Sequence, residues 1–445
     1  TYNISGWIKT KVNEGTAALK FEYYTINDIK ADYGATGGTA GSEHFETNTN
    51  GEWLYFSQKV EVAEGAKCVA VYARLYGKGI VYYDDFECYK TSSAWKIQVS
   101  TDNFFYYTEW EKGTATARSN SYYPELKNGT VDFRFKDGDK VLDEKLGVPL
   151  VNETASYDFS TSLMTQKAHR YYVEATVRNG NGEIMEVTEE PVCRYDRPTL
   201  LNQDGIFMEN GQPYDPIFIY HALSEDEGVC VEAGINLKQG YSDSRIQTKK
   251  MSRMESLDWA AANGIKVMFP LYAGNMKPAG APENVKGTTN TVNEVKNHSA
   301  TFGYMLMDEP YNNDPHPEEN MRNSYMLVRD LDPVHPIFTM ENFYGNYEKV
   351  AKFTDILGID PYPQGTKTPT TYVEYCMKIA NEAVNYQKPV YCLLQTFDYG
   401  NYFPTQDETR NMIYQSFFEG AYGVGYYCFR SAIDGKNLNE TNLWP

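Results

Sequence analysis

The stretch Gly303-Tyr304-Met305-Leu306-Met307-Asp308-Glu309-Pro310 is an apolar run that ends in two acids and a proline. A short apolar run bounded by glycine and proline predicts a buried strand, and acids at the carboxyl end of such a strand stand where α/β barrels place their chemistry. Glu309 is therefore the first catalytic candidate, with Asp308 beside it. The plainer alternative is that the two acids open a solvated loop. A second acid, Asp360, lies in Gly358-Ile359-Asp360-Pro361-Tyr362-Pro363, where an Asp before Pro also serves as an ordinary turn residue. A third, Glu341, precedes the loop-like run Asn342-Phe343-Tyr344-Gly345.

The elements that must position these groups begin after Arg197-Pro198, where strand patterns alternate with helical ones, the signature of a parallel α/β architecture. The strand candidates are Pro216 to Tyr220, Gly234 to Leu237, Lys266 to Pro270, Gly303 to Met307, Ile337 to Met340, Ile356 to Ile359, Val390 to Leu394 and Gly425 to Phe429. Helical segments sit between them, such as Lys249 to Asn263 with a glycine stop at Gly264. The count predicts a closed (β/α)₈ barrel over residues 199–445, lacking its last helix. Residues just past each strand then share one rim: His221, Lys238 or Gln239, Tyr272, Asp308 with Glu309, Glu341 with Asn342, Asp360 with Tyr362, Gln395 with Phe397, and Arg430. Separate strands thus deliver carboxylates to one face. Glycosidic cleavage needs such a pair, one held protonated to assist the leaving oxygen and the other ionised as nucleophile or as base for water. Placing them close together would itself push their pKa values apart. His221 can serve a substrate hydroxyl or cap its strand, and Arg430 can bind substrate or orient a carboxylate by a bidentate pair. Tyr272, Tyr311, Tyr362, Phe397 and Tyr399 are candidates for stacking on sugar rings.

With Asp308-Glu309-Pro310 at the end of strand four, this region resembles the large clan of retaining (β/α)₈ glycoside hydrolases, whose fourth strand ends in an Asn-Glu-Pro-like motif. The resemblance implies general acid/base work for Glu309. It also implies a nucleophilic Glu at the end of strand seven, where this chain has Leu394-Gln395-Thr396-Phe397. A neutral amide is no carboxylate nucleophile. Three readings follow: the second acid has moved to Asp360 or Glu341, one of those activates water in an inverting reaction, or the site binds sugar without cleaving it. In the first two, Gln395 orients substrate. The run also resembles strand seven of barrel proteins that carry Gln naturally.

Residues 1–91 alternate apolar and polar residues in short runs, a β-sandwich pattern. Tyr2 to Thr10, Trp53 with Phe56, and Val81 to Phe86 resemble carbohydrate-binding modules of the galactose-binding-like sandwich type, and the module looks truncated at its amino end. Gly77-Lys78-Gly79 predicts a hairpin turn, which would place Cys68 opposite Cys88 within reach of a disulfide. As the resemblance implies, Asp84-Asp85, and Asp85 in particular, is a candidate to supply oxygen ligands to a structural calcium. Residues 92–198 keep the all-β habit, with strands at Val131 to Phe135, Tyr171 to Val177 and Glu186-Val187 and a hairpin signal at Asn179-Gly180-Asn181-Gly182. An immunoglobulin- or fibronectin-like sandwich fits.

Composition bounds the partner. Among the 445 residues, 38 are Tyr, and the formal net charge is −19. Tyrosine-rich surfaces suit ligands with an apolar face and a polar rim, although Tyr is equally a strand former. No basic stripe exists to displace counterions from a nucleic acid, and no apolar run reaches the roughly eighteen residues of a membrane span. Seven cysteines spread thinly make no disulfide scaffold. No motif calls for a cofactor in the chemistry, and His316 with Asp314, Glu318 and Glu319 reads as a proline-rich loop. The chain begins at Thr1 without a leader, which suggests a cut amino terminus. The expectation is a multimodular, bacterial, extracellular or cell-surface glycoside-hydrolase-like protein acting on a polysaccharide or glycan. The competing expectation is a non-catalytic glycan-binding, adhesion or structural protein with a degenerate barrel.

Overall fold

The structure, a computed structural model, describes residues 2–24, 39–47, 49, 51–60, 68–90, 96–120, 123–240, 250–271, 282–314, 317–363, 371–399 and 402–444. These gather into two compact units. One comprises Thr1–Ser100, Thr114–Phe159 and Tyr172–Glu190; the other comprises Thr101–Gly113, Ser160–Tyr171 and Pro191–Pro445.

In the first unit, the alternating runs near the amino terminus form an antiparallel sheet. The long strand Tyr2–Tyr24 pairs along one edge with Cys68–Lys90, and along the other with Trp53–Val60 and Thr39–Thr47. The expected hairpin at Gly77-Lys78-Gly79 is not there, because Cys68–Lys90 runs through it as one strand. Gly77 and Gly79 have positive φ and stand opposite Gly15 and Val12, on either side of a register shift in the partner strand. Glycine here marks an irregularity in pairing and not a reversal of the chain. Cys68 pairs with Tyr24 and Cys88 with Ile4, at opposite ends of the strand, so the symmetry that suggested a disulfide is absent. The side chain of Asp85 lies outside the described residues.

Farther along the same unit, Ile97–Thr101, Lys112–Ser119 and Thr154–Ser160 form one sheet. A second contains Thr130–Asp137, Lys140–Pro149, Tyr171–Arg178 and Ile184–Tyr195. Buried and exposed residues alternate along Ile97–Thr101 and Thr154–Ser160, as strands with one dry face require. Phe133 stacks on Tyr157 and Phe135 on Phe159 across the two sheets, with centroids 5.6 and 4.8 Å apart. This is a sandwich core. The hairpin at Asn179 is present, and the Asn179 side-chain oxygen accepts the N–H groups of Asn181 and Glu183.

The second unit is built around a closed barrel of eight parallel strands. These are β1 (Ile217–Ile219), β2 (Leu237–Gln239), β3 (Lys266–Pro270), β4 (Thr301–Asp308), β5 (Ile337–Glu341), β6 (Ile356–Ile359), β7 (Val390–Gln395) and β8 (Gly423–Tyr427). Phe218, Leu237, Met268, Phe302, Met305, Phe338, Ile356, Tyr391 and Leu393 fill the interior, while alternate residues such as Ile219, Val267, Leu357 and Leu394 pack outward. Burial of each large apolar side chain contributes about 1.5–3 kcal/mol. Two glycines make room inside: a Cβ on Gly358 would lie 2.3 Å from the Phe338 ring, and one on Gly425 would lie 2.3 Å from the Phe218 ring. The apolar pattern places strand eight from Gly425 to Phe429; the strand begins two residues earlier because glycine at 423 and 425 is what fits beside Tyr391 and Phe218. Strand two is likewise displaced, starting at Leu237 after the turn at Gly234, whose φ is +85°.

Residues from earlier in the chain complete this unit. Phe105 stacks on Tyr325 at 4.2 Å, and Tyr107 donates its hydroxyl hydrogen bond to the buried Asp355 at 2.7 Å. The helix Arg253–Ala262 starts at the capping box Ser252/Glu255 and stops at Asn263-Gly264. No helix among the described residues is long and apolar enough to cross a membrane.

Candidate active site

The carboxyl end of β4 carries a sharp change of direction. Glu309 adopts left-handed backbone angles (φ 46°, ψ 61°), which a non-glycine residue adopts only at a cost. Surrounding bonds hold it there. Its N–H donates to the Met340 carbonyl at 2.8 Å, and its carbonyl accepts from the N–H groups of Asn312 and Asn313. Pro310 occupies the first position of the short helix Pro310–Asn313, where its missing N–H is no loss. Asn312 Nδ2 donates to Glu309 Oε2 at 3.0 Å and to Asn342 Oδ1 at 3.2 Å. His221 after β1 is also left-handed, with φ 58°.

Four carboxyl groups influence one another at this rim. Asp308 is pushed up to about 7 by burial and then by the charges of Glu309 and Glu341. Glu341, which ends β5 fully buried, is raised to about 7 chiefly by burial. One of its oxygens accepts the Phe343 N–H at 3.0 Å. Asp360, just past β6 and 4% exposed, is raised well above the usual range by burial and then by the charges of Glu309 and Asp308. Burial among these charges favours the protonated form of Asp360. No Lys or Arg among the described residues figures in the main influences on these acids. Asp308 and Glu309 keep part of their surface open, whereas Asp360 and Glu341 are buried.

Aromatic rings form the adjoining wall. Tyr427, at the end of β8, lies 5.2 Å from Phe397, 6.0 Å from Tyr362, 6.0 Å from Tyr220 and 5.0 Å from His221, centroid to centroid. Tyr362 meets Phe397 edge-on at 5.0 Å. Burial, then Asp360, Tyr220, Asp308 and Glu309, raise the Tyr362 phenol, which puts its hydroxyl in the field of the acids and keeps it protonated. Burial lowers the His221 imidazole, leaving it neutral at neutral pH. Gln395 ends β7 fully buried, facing inward in register with Tyr391 and Leu393, and its amide donates to the Phe397 carbonyl at 3.2 Å.

The structure therefore brings together Asp308, Glu309, Glu341 and Asp360, with Tyr362, Phe397 and His221 on the neighbouring wall. Arg430 is engaged elsewhere, in a bidentate pair with Asp226 (2.7 and 2.9 Å) and in contact with Glu225. Lys238 points outward and forms a buried ion pair with Glu227 (2.5 Å), while Gln239 reaches Met305 inside the barrel. Tyr272 lies outside the described residues. Tyr427, Tyr220 and Asn312 belong to the site without being marked by the sequence pattern. Tyr427 was hidden by the two-residue displacement of strand eight, which carried the expected rim to Arg430. Tyr220 was counted inside its strand. Asn312 carried no signal beyond its spacing from Glu309. Among the described residues no group of His, Cys, Asp and Glu is arranged to hold a metal ion.

No protein-family model and no curated protein matches the chain. Solved structures similar to it include a β-D-glucuronidase from Dictyoglomus thermophilum (TM-score 0.40, 14% identity, 97% of this chain and 86% of that one). Others are a GH2 β-galacturonidase from Eisenbergiella tayi bound to galacturonate (0.41, 13%, 96% and 83%) and a β-glucuronidase from Ruminococcus gnavus in complex with D-glucuronic acid (0.41, 11%, 97% and 84%). The fold assignment rests on the closed barrel itself.

Proposed function

We propose that the chain is a glycoside hydrolase acting on a glycan or polysaccharide outside the cell, with Glu309 as the group that passes a proton to the glycosidic oxygen. The observation that carries this reading is the gathering of the partly open Glu309 and Asp308 with the buried Glu341 and Asp360 at the carboxyl rim of a closed barrel. Asp360 is almost fully buried, so it acts through Glu309 and not on the sugar. Its carboxyl, held toward the neutral form beside Glu309, has a positioning role, and buried Glu341 belongs to the same group of acids. Asp308 is the partly open acid left to activate water. Tyr362, Phe397 and Tyr427 offer ring faces and a hydroxyl to the sugar, with neutral His221 beside them.

Gln395 favours a second reading. A buried amide stands at the rim position where the resemblance calls for a nucleophile, which suits a barrel that binds glycan without cutting it. The two are separated by incubating the protein with a panel of polysaccharides and aryl glycosides. Release of reducing ends that ceases in Glu309→Gln supports hydrolysis, whereas binding with no product from any substrate supports the second reading.

A further inference from the structure

The one-turn helix after β4 brings a side chain back onto the acid that precedes it. The left-handed backbone of Glu309 turns the chain sharply, and Asn312, three residues on, bonds Glu309 twice. Its main-chain N–H donates to the Glu309 carbonyl at 3.0 Å, and its side-chain Nδ2 donates to Glu309 Oε2, also at 3.0 Å. The second N–H of Nδ2 is directed at Asn342 Oδ1, 3.2 Å away and just past β5. Segments following two neighbouring strands therefore brace one carboxyl. An amide NH₂ group donates and never accepts, so Oε2 of Glu309 receives a hydrogen from Asn312 and Oε1 is the oxygen left to carry a proton. The titratable groups that face Glu309 are Asp308 on β4, Glu341 on β5, and Asp360 and Tyr362 past β6. Burial first, and the charge of Glu309 after it, raise all four. Each of them, when ionised, repels a charge on Glu309, whereas the Asn312 N–H attracts it.

We propose that Asn312 is a positioning residue for the acid/base, fixing the Glu309 carboxyl so that Oε1 presents the proton and Oε2 takes up the charge. The role rests on the reading of Glu309 as the group that passes a proton to the glycosidic oxygen. In that step the glycosidic C–O bond breaks with its electron pair on oxygen, and the Oε1 proton forms the O–H bond of the departing alcohol. Water bonds to the anomeric carbon and gives its own proton to Asp308. The Oε1–H electron pair stays on Glu309, and the charge spreads to Oε2, where the Asn312 N–H meets it. Hydrogen bonds to an ionised acceptor are shorter and stronger than neutral ones, so this bond tightens as the proton leaves. An interaction that strengthens on the way to the transition state raises turnover and leaves substrate binding unchanged. A residue serving the helix turn alone would need only its main-chain bond; the Asn312 amide is directed at the carboxyl and at Asn342.

The test is steady-state kinetics against pH for the full chain on an oligosaccharide that it cleaves, with Asn312→Ala, Asn312→Asp and Asn312→Gln alongside. Asn312 is exposed and its main-chain bond persists in each variant, so all three should fold, which melting curves check. Asn312→Ala lowers kcat by about 10- to 100-fold, the size of one hydrogen bond to a charged group, with KM changed by less than about twofold. The alkaline limb of its kcat profile moves to higher pH by about one unit, because the anion has lost a donor. Asn312→Asp moves that limb further in the same direction, and Asn312→Gln, which keeps the amide, recovers most of the rate. On a nitrophenyl glycoside, whose leaving oxygen needs little protonation, the alanine variant loses less than about threefold. A wild-type kcat with an unmoved limb in Asn312→Ala overturns the proposal, as does a glutamine variant as slow as the alanine one. Equal losses on the two substrates assign Asn312 a purely structural role and also overturn it. Glu309→Gln separates the two assignments. If it keeps its turnover, the role of Glu309 falls and that of Asn312 with it; if it is inactive while Asn312→Ala is unimpaired, the role of Asn312 alone falls. A wild type that cleaves no glycan overturns both.

Discussion

Glu341→Gln removes an ionisable group from the buried end of β5. Glu341 is fully buried at the end of β5, and burial raises its carboxyl from the ordinary 4.5 to about 7. The folded protein therefore holds this proton more tightly than the unfolded chain does. The stability it contributes is fully present below pH 4.5 and is lost as the pH rises through 7, above which the native state carries a buried anion. The complete difference is about 3 kcal/mol. Glutamine keeps the shape and an acceptor for the Phe343 N–H but cannot ionise. The variant should match the wild type near pH 4.5 and exceed it at pH 8 by about 3 kcal/mol, or about 6–12 °C in melting temperature. Calorimetric melts of both proteins at pH 4.5, 6 and 8 measure this. A difference that is flat with pH, or a wild type that is the more stable at pH 8, would refute the reasoning.

Two further substitutions probe the frame around the site. Gly425→Ala puts a methyl group 2.3 Å from the Phe218 ring, and overpacking of this kind costs about 1–3 kcal/mol, seen as a lower melting temperature at every pH. Asp355→Asn weakens an acceptor that serves the Tyr107 and Tyr325 hydroxyls and the Ile337 N–H at 2.7, 2.8 and 2.8 Å. Its buried, charge-assisted bonds predict a loss of about 2–4 kcal/mol in urea unfolding.

The barrel was legible because its strands are apolar runs with punctuation at both ends, and β3 and β6 fall on their expected residues. β8 was misplaced because glycine is a poor strand former in isolation, and only the Phe218 and Tyr391 rings opposite explain why it is used there. The same local reading turned Gly77 and Gly79 into a hairpin, although pairing with a single long strand carries the chain straight through them. Within the site, Glu309, Asp308, Glu341 and Asp360 were visible as acids after strands. Their order of contact was not, because which carboxyl touches which depends on the left-handed turn at Glu309 and on side-chain direction, and neither has a sequence signature. Arg430 was read as a partner for an acid or for substrate, but Asp226 and Glu225, which hold it, lie some two hundred residues away in the chain. Long-range pairing of that kind leaves no local trace.

The central claim is that Glu309 delivers the proton. It is tested most directly by measuring kcat and the substrate dissociation constant for wild type and Glu309→Gln on one hydrolysable glycan. Loss of a general acid predicts a fall in kcat of about 10² to 10⁴-fold, with the dissociation constant changed by less than about threefold. A variant that keeps its turnover would contradict the account.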